Sequence, residues 1–147
     1  MKNNNKGFSL VELIVVIAIM AVLVGVLAPT LLRYVEKSRQ QKDESAVAEV
    51  INAVKLAMAD EKVAAEIAAD DSVVITNGTI TVTTASTGTE YLNQEVQASV
   101  ATKPVFTSKA HQNQKYTITF EVTSGTDATI KQPEYNANNW SAVSSGT

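Results

Sequence analysis

Cysteine is missing from the 147 residues, which removes disulfides, thiol nucleophiles and thiolate metal sites from consideration. Histidine occurs once, at His111, too few for a multi-histidine zinc site in one chain. No nucleophile, base and orienting acid can be read together around it. Aromatic residues make up only 5%, and the later part of the chain is crowded with Thr, Ser, Asn and Ala, so a core there must be small and aliphatic. Positive charge is also scarce. A formal net charge of −3 argues against a protein whose main task is to hold nucleic acid electrostatically. These absences point away from an enzyme.

What the sequence does have is one long stretch without charge. Residues 13 to 32 carry none, and 13 of those 20 positions are Leu, Ile or Val. As a helix they would be about 30 Å long, the thickness of a bilayer core. Their insertion is worth roughly −4 to −8 kcal/mol. The segment before it, residues 1 to 7, is short, polar and basic and reads as a targeting head. After it comes a mixed-charge stretch from Arg33 to Glu44. Apolar residues then recur at helical spacing, with Val47, Val50, Ile51, Val54, Ala57 and Met58 on one side and Glu49, Asn52, Lys55 and Asp60 on the other. The pattern predicts a single helix from about Phe8 to about Glu61, bent but not ended by Pro29, with a short helical segment from Val63 to Ala69 continuing or following it.

Beyond Asp71 the signal changes to strands. Two β-branched runs flank Asn77 and Gly78, a pair suited to the positive φ of a tight hairpin turn. Residues 115 to 122 alternate Tyr116, Ile118, Phe120 and Val122 with Thr117, Thr119 and Glu121, and residues 128 to 131 offer a return strand. A weak helix over Tyr91 to Val100 and a short strand or anchor at Val105 and Phe106 complete the reading. The expected fold is α+β: a long N-terminal helix packed against a small antiparallel sheet of three or four strands. The tail from Gln132 to Thr147 is expected to be partly ordered at best.

The junction Lys6-Gly7-Phe8-Ser9-Leu10-Val11-Glu12-Leu13, followed by some twenty apolar residues, resembles the leader of type IV pilins and type II secretion pseudopilins. The resemblance covers roughly residues 6 to 34. It implies cleavage between Gly7 and Phe8 by a dedicated membrane peptidase, methylation of Phe8, and assembly of the processed chain with identical subunits into a helical filament. It implies a pilin roll divided into a leader (1–7), a transmembrane or filament-core helix (8–32) and a globular region (33–147). It implies a cytoplasmic leader and an outward-facing globular region, with membrane lipid as the environment before assembly and the cell surface as the destination. Pro29 stands where many type IV pilins carry a helix-bending proline. Ala21 replaces a glycine common in relatives, and Gly25 follows four residues later. No cofactor or metal is implied. Host surfaces or DNA are conceivable contacts for such a fibre without support from any residue here.

Physics gives Glu12 a role of its own. A carboxylate at the edge of lipid is costly unless paired, and processing would create an ammonium at Phe8 that a neighbouring, axially shifted copy could bring to it. Other readings of the N-terminus fit less well. A secretory signal would have a shorter apolar core and no proline after its Val26-Leu27-Ala28 cleavage site. A plain anchor leaves the glycine junction and Glu12 unexplained, while a type II secretion pseudopilin and a membrane-tethered binding domain that never polymerises stand as the alternatives to the pilin. Counting Lys2 and Lys6 against Arg33, Lys37, Arg39 and Lys42 gives no clear orientation. That basic cluster, interleaved with Glu36, Asp43 and Glu44, reads as helix-surface charge. Glu66, Asp70 and Asp71 lack the spacing of a cation loop and read as a solvated helix end. His111 reads as surface. Asn77 and Asn139 head glycosylation-type triplets, the first better explained by turn chemistry and the second by chance in an Asn-rich tail.

Overall fold

The computed structural model describes residues 7–69, 71–83, 90–123 and 127–143. They form α1 (Leu10–Ala57), α2 (Glu61–Glu66), β1 (Ser72–Thr76), β2 (Thr79–Thr83), α3 (Glu90–Ser99), β3 (Gln114–Thr123), β4 (Asp127–Ile130), a 3-10 turn (Ala137–Asn139) and β5 (Trp140–Ala142). The chain divides into two compact units, one ending at Glu36 and the other beginning at Lys37.

In the first unit α1 is exposed throughout its apolar length. Ile17 and Leu23, for example, are more than half accessible. The helix has the length and composition to cross a membrane. It continues through Pro29, as expected. Pro29 has no N–H for the carbonyl of Gly25, and beside it the Thr30 hydroxyl makes a long 3.5 Å contact to the Val26 carbonyl.

In the second unit the rest of α1 packs on an antiparallel sheet. Asp43, Val47, Val50, Ile51, Ala53, Val54 and Ala57 are buried, while Glu49, Asn52, Lys55 and Asp60 are exposed. The helix is four residues shorter than the expected end at Glu61. It stops at Ala57 because Asp60, in extended conformation, turns its carboxylate to the Lys62 N–H at 2.9 Å and caps a separate α2. An aspartate at this position competes with the helix backbone it would otherwise continue.

The sheet has five strands in the order β2-β1-β3-β4, with β5 also on β3. The β1–β2 hairpin closes with Thr76 opposite Thr79 and Gly78 at φ 80°, as the Asn-Gly pair predicts. Tyr116, Ile118 and Phe120 of β3 face the core, joined by Val73, Ile75, Leu92, Val96 and Phe106. Val122 departs from the expected face and is 38% exposed. At that level β3 has passed the end of β1 and pairs with β4, placing Val122 opposite Ala128. The expected weak helix and return strand are α3 and β4. Phe106 is a core anchor, whereas Val105 is outside.

Two further expectations are corrected. The tail is built into the fold as far as Val143, with β5 pairing Tyr116 to Trp140; residues 144–147 lie outside the described residues. His111 is buried, not surface. Both changes have one cause, an aromatic cluster in a sequence poor in aromatics. The Trp140 ring stacks on His111 at 3.9 Å and meets Phe106 and Tyr116 edge-on. Its indole N–H donates to the Tyr135 hydroxyl at 2.9 Å, and the backbone N–H of Asn136 donates to the Tyr116 hydroxyl. Tail and sheet are thereby closed without a disulfide.

Candidate functional site

The N-terminal junction is the first candidate. Gly7 precedes the helix in irregular backbone, and Phe8 after it is 84% exposed. A side chain added at Gly7 would meet nothing within 4 Å, so the fold itself gives no reason for glycine there. Ser9 begins α1: its carbonyl accepts the Leu13 N–H at 3.2 Å. Its own N–H donates to Glu12 Oε2 at 2.9 Å. Ser9 and Glu12 thus make the reciprocal half of a capping box. The signal Ser-x-x-Glu was legible in the sequence, but attention to charge pairing between copies passes over it. Within its own chain, Glu12 is a helix cap, and Gly7 and Phe8 lie immediately upstream of that cap. Pro29 lies 17 residues further along, in mid-helix, and is not brought near Gly7, Phe8 or Glu12.

The second candidate centres on Asp43, which the charge-run reading left on the helix surface. The structure buries it completely. Oδ1 accepts the Thr107 N–H at 2.8 Å and the Thr107 hydroxyl at 3.2 Å, and Oδ2 accepts the Ser108 N–H at 2.9 Å. His111 Nδ1 is 3.4 Å from the same Oδ2, without the alignment of a hydrogen bond. Burial pushes the Asp43 carboxyl up, but the hydrogen bonds from Thr107 and Ser108 outweigh it, and the net shift is downward. Both oxygens are engaged in holding a loop, so the carboxylate is a clamp and not a reactive group. The loop is held from its other side too. Asn77 Oδ1 accepts the Phe106 N–H at 3.0 Å, and the Gly78 N–H donates to the Pro104 carbonyl at 2.7 Å. The side-chain oxygen of Asn77 is therefore engaged in the fold.

Around the tail, Tyr135 has its hydroxyl pushed up chiefly by burial, with the negative charge of Glu44 adding to it and the Trp140 hydrogen bond opposing. Against the expectation of a solvated helix end, Asp71 is buried and accepts the Ala68 N–H at 2.8 Å, and Asp70 lies outside the described residues. Among the described residues no group of three or more His, Asp or Glu is placed to hold a metal ion. Arg33, Lys37, Arg39 and Lys42 are exposed on α1.

Comparison with known proteins bears on the first candidate. Residues 2–28 match the family model described as the prokaryotic N-terminal methylation motif. No curated protein and no solved structure matches the chain. The matched stretch contains Gly7, Phe8, Ser9 and Glu12 and runs into the apolar half of α1. The chain carries the leader of a type IV prepilin, joined to a helix suited to anchoring the precursor in a membrane.

Proposed function

We propose that this chain is the precursor of a structural filament subunit, a type IV pilin, and not an enzyme. A membrane peptidase cuts between Gly7 and Phe8 and methylates the new amino group. The apolar helix holds the subunit in the membrane until the assembly machinery extracts it, and then buries against like helices in an extracellular fibre. Such a fibre serves adhesion, motility or aggregation. The observation that carries this reading is the methylation motif over residues 2–28, coincident with the apolar first half of α1, whose most apolar stretch buries none of its side chains in its own chain. Thirteen large aliphatic residues at roughly 1.5 to 3 kcal/mol each are ample cohesion for a fibre core, less the cost of ordering. The unneeded glycine at position 7 further supports recognition by an outside enzyme.

Glu12 is assigned a second role in this scheme: in the fibre its carboxylate meets the Phe8 ammonium of a neighbour and sets the axial register. Pro29 softens the helix during packing.

The test is to shear cells, collect surface fibres and determine the N-terminus of this chain by mass spectrometry. Chains beginning at methylated Phe8 in the fibre fraction are the expected result. Processed chains confined to the membrane would instead favour a short pseudopilin, and retention of Met1 would leave only an anchor.

A further inference from the structure

Within the second unit, the exposed side of α1 is flanked by two grooves of unlike charge. At 100° per residue, Gln41, Glu44, Ala48 and Asn52 form one stripe and Lys42, Ala46 and Glu49 another, with Leu56 on the crest between them. The first stripe borders three cavities of about 490, 180 and 390 Å³. They share Ala48 and Tyr135, then Lys55 and Pro133, and so run together between α1 and residues 128–135. Glu44 and Glu134 line this trough and Lys55 is its one lining cation. On the other flank lies a cavity of about 300 Å³ between α1 and residues 102–105, lined by Lys42, Lys103 and Glu49. Val105 beside it is 55% exposed.

Building on the filament reading, we infer that these flanks are the two halves of one head-to-tail contact between copies of this chain. Lys42, Lys103 and Val105 of one copy seat in the trough that Glu44 and Glu134 line on the next. The partner is identified by charge. A twofold contact through either flank alone would set Glu44 and Glu134 against themselves, or Lys42 and Lys103 against themselves, and like charges at an interface are costly. Flank against flank pairs opposite signs and places the exposed Val105 toward Ala48 and Pro133. With copies shifted along a common fibre axis, as the filament reading requires, each copy offers one flank to each of two neighbours, and the contact propagates an open array.

The lack of cysteine in the chain makes this directly testable by crosslinking. Ser45 lines the trough, Thr102 lines the opposite groove, and both are exposed. The full chain carrying Ser45→Cys and Thr102→Cys together, expressed in its native membrane and oxidised, is expected to give a ladder of dimers, trimers and larger species on a non-reducing gel. Each single variant should remain monomeric, and the two singles co-expressed should stop at dimer. Lys103→Glu should abolish the ladder, and Glu134→Lys in the same chain should restore it. Dimers from Ser45→Cys alone, or a double variant that stops at dimer, would overturn the proposal in favour of a twofold contact, and a ladder indifferent to Lys103→Glu would overturn the charge pairing. Absence of a ladder where fibres beginning at Phe8 still form would overturn this contact while leaving the filament reading intact. Absence of both would overturn the two together.

Discussion

At the scale of single residues, Asp43 and Glu12 are both carboxylates whose neighbours matter more than their charge. Asp43 accepts three hydrogen bonds from a loop more than sixty residues away. Asp43→Asn would turn an amide N–H₂ toward those donors and is expected to cost about 2 to 3 kcal/mol. Thermal unfolding of the full chain in detergent, followed by circular dichroism, reads this as a lowered midpoint. The pH dependence follows from the downward shift of its carboxyl. A depressed folded-state pKa gives stability that is present above the unfolded value, near 3.9, and lost as pH falls through the lower folded value. The wild-type midpoint should therefore fall more steeply below about pH 4 than that of Asp43→Asn. For Glu12, glutamine separates two roles, since a capping box accepts Gln as well as Glu. Glu12→Gln should keep the helix start but slow fibre assembly, whereas Glu12→Ala should also fray the first turn. A normal fibre yield from Glu12→Gln would assign the residue to capping alone.

At the scale of elements, α1 and β5 illustrate opposite ways of tolerating a weak point. Pro29 leaves the Gly25 carbonyl without its helical donor, and Gly25 is itself a poor helix former. Pro29→Ala restores the donor and is worth roughly 3 kcal/mol in a helix interior. Amide exchange at residues 25 to 28 in micelles should slow accordingly. The strand β5 is only three residues long and depends on its first side chain. Removing the Trp140 ring takes away contacts to His111, Phe106 and Tyr116 and the hydrogen bond to Tyr135. Trp140→Ala is expected to release residues 132–143 to limited proteolysis while α1 and β1 through β3 stay protected, a cost of about 3 kcal/mol.

At the scale of the molecule, what could be read in the sequence was what is encoded locally. The apolar stripe of α1, the Asn77-Gly78 turn and the alternation from Tyr116 to Phe120 each lie within one element, where spacing alone dictates which side is buried. The leader junction is equally local, a run of residues around Gly7 and Phe8. What escaped was set by distant partners. Asp43 resembles its neighbours Lys42 and Glu44 until the loop at Thr107 and Ser108 covers it. His111 and Trp140 are unremarkable singly, and only β3 brings β5 to the place where their rings stack. The end of α1 was missed for a different reason. Asp60 followed by Glu61 is a local start signal for a new helix, and it was outweighed by the apolar periodicity running up to Met58. The fold class was thus accessible from pattern, while the clamp and the aromatic closure required the tertiary structure.

The clamp has a mechanical consequence. In the proposed fibre, tension would load each subunit through its first helix, and Asp43 is the first fully buried side chain of α1. Force entering there passes by short hydrogen bonds into the Thr107–Ser108 loop, and from Phe106 and Pro104 into the β1–β2 turn at Asn77 and Gly78. The helix is thereby coupled to the sheet by a tether as well as by apolar contact, which resists sliding poorly because it has no direction. Pulled from its N-terminal end in a single-molecule trap, the chain should yield at lower force when Asp43 is replaced by Asn, a fragility that equilibrium heating would understate.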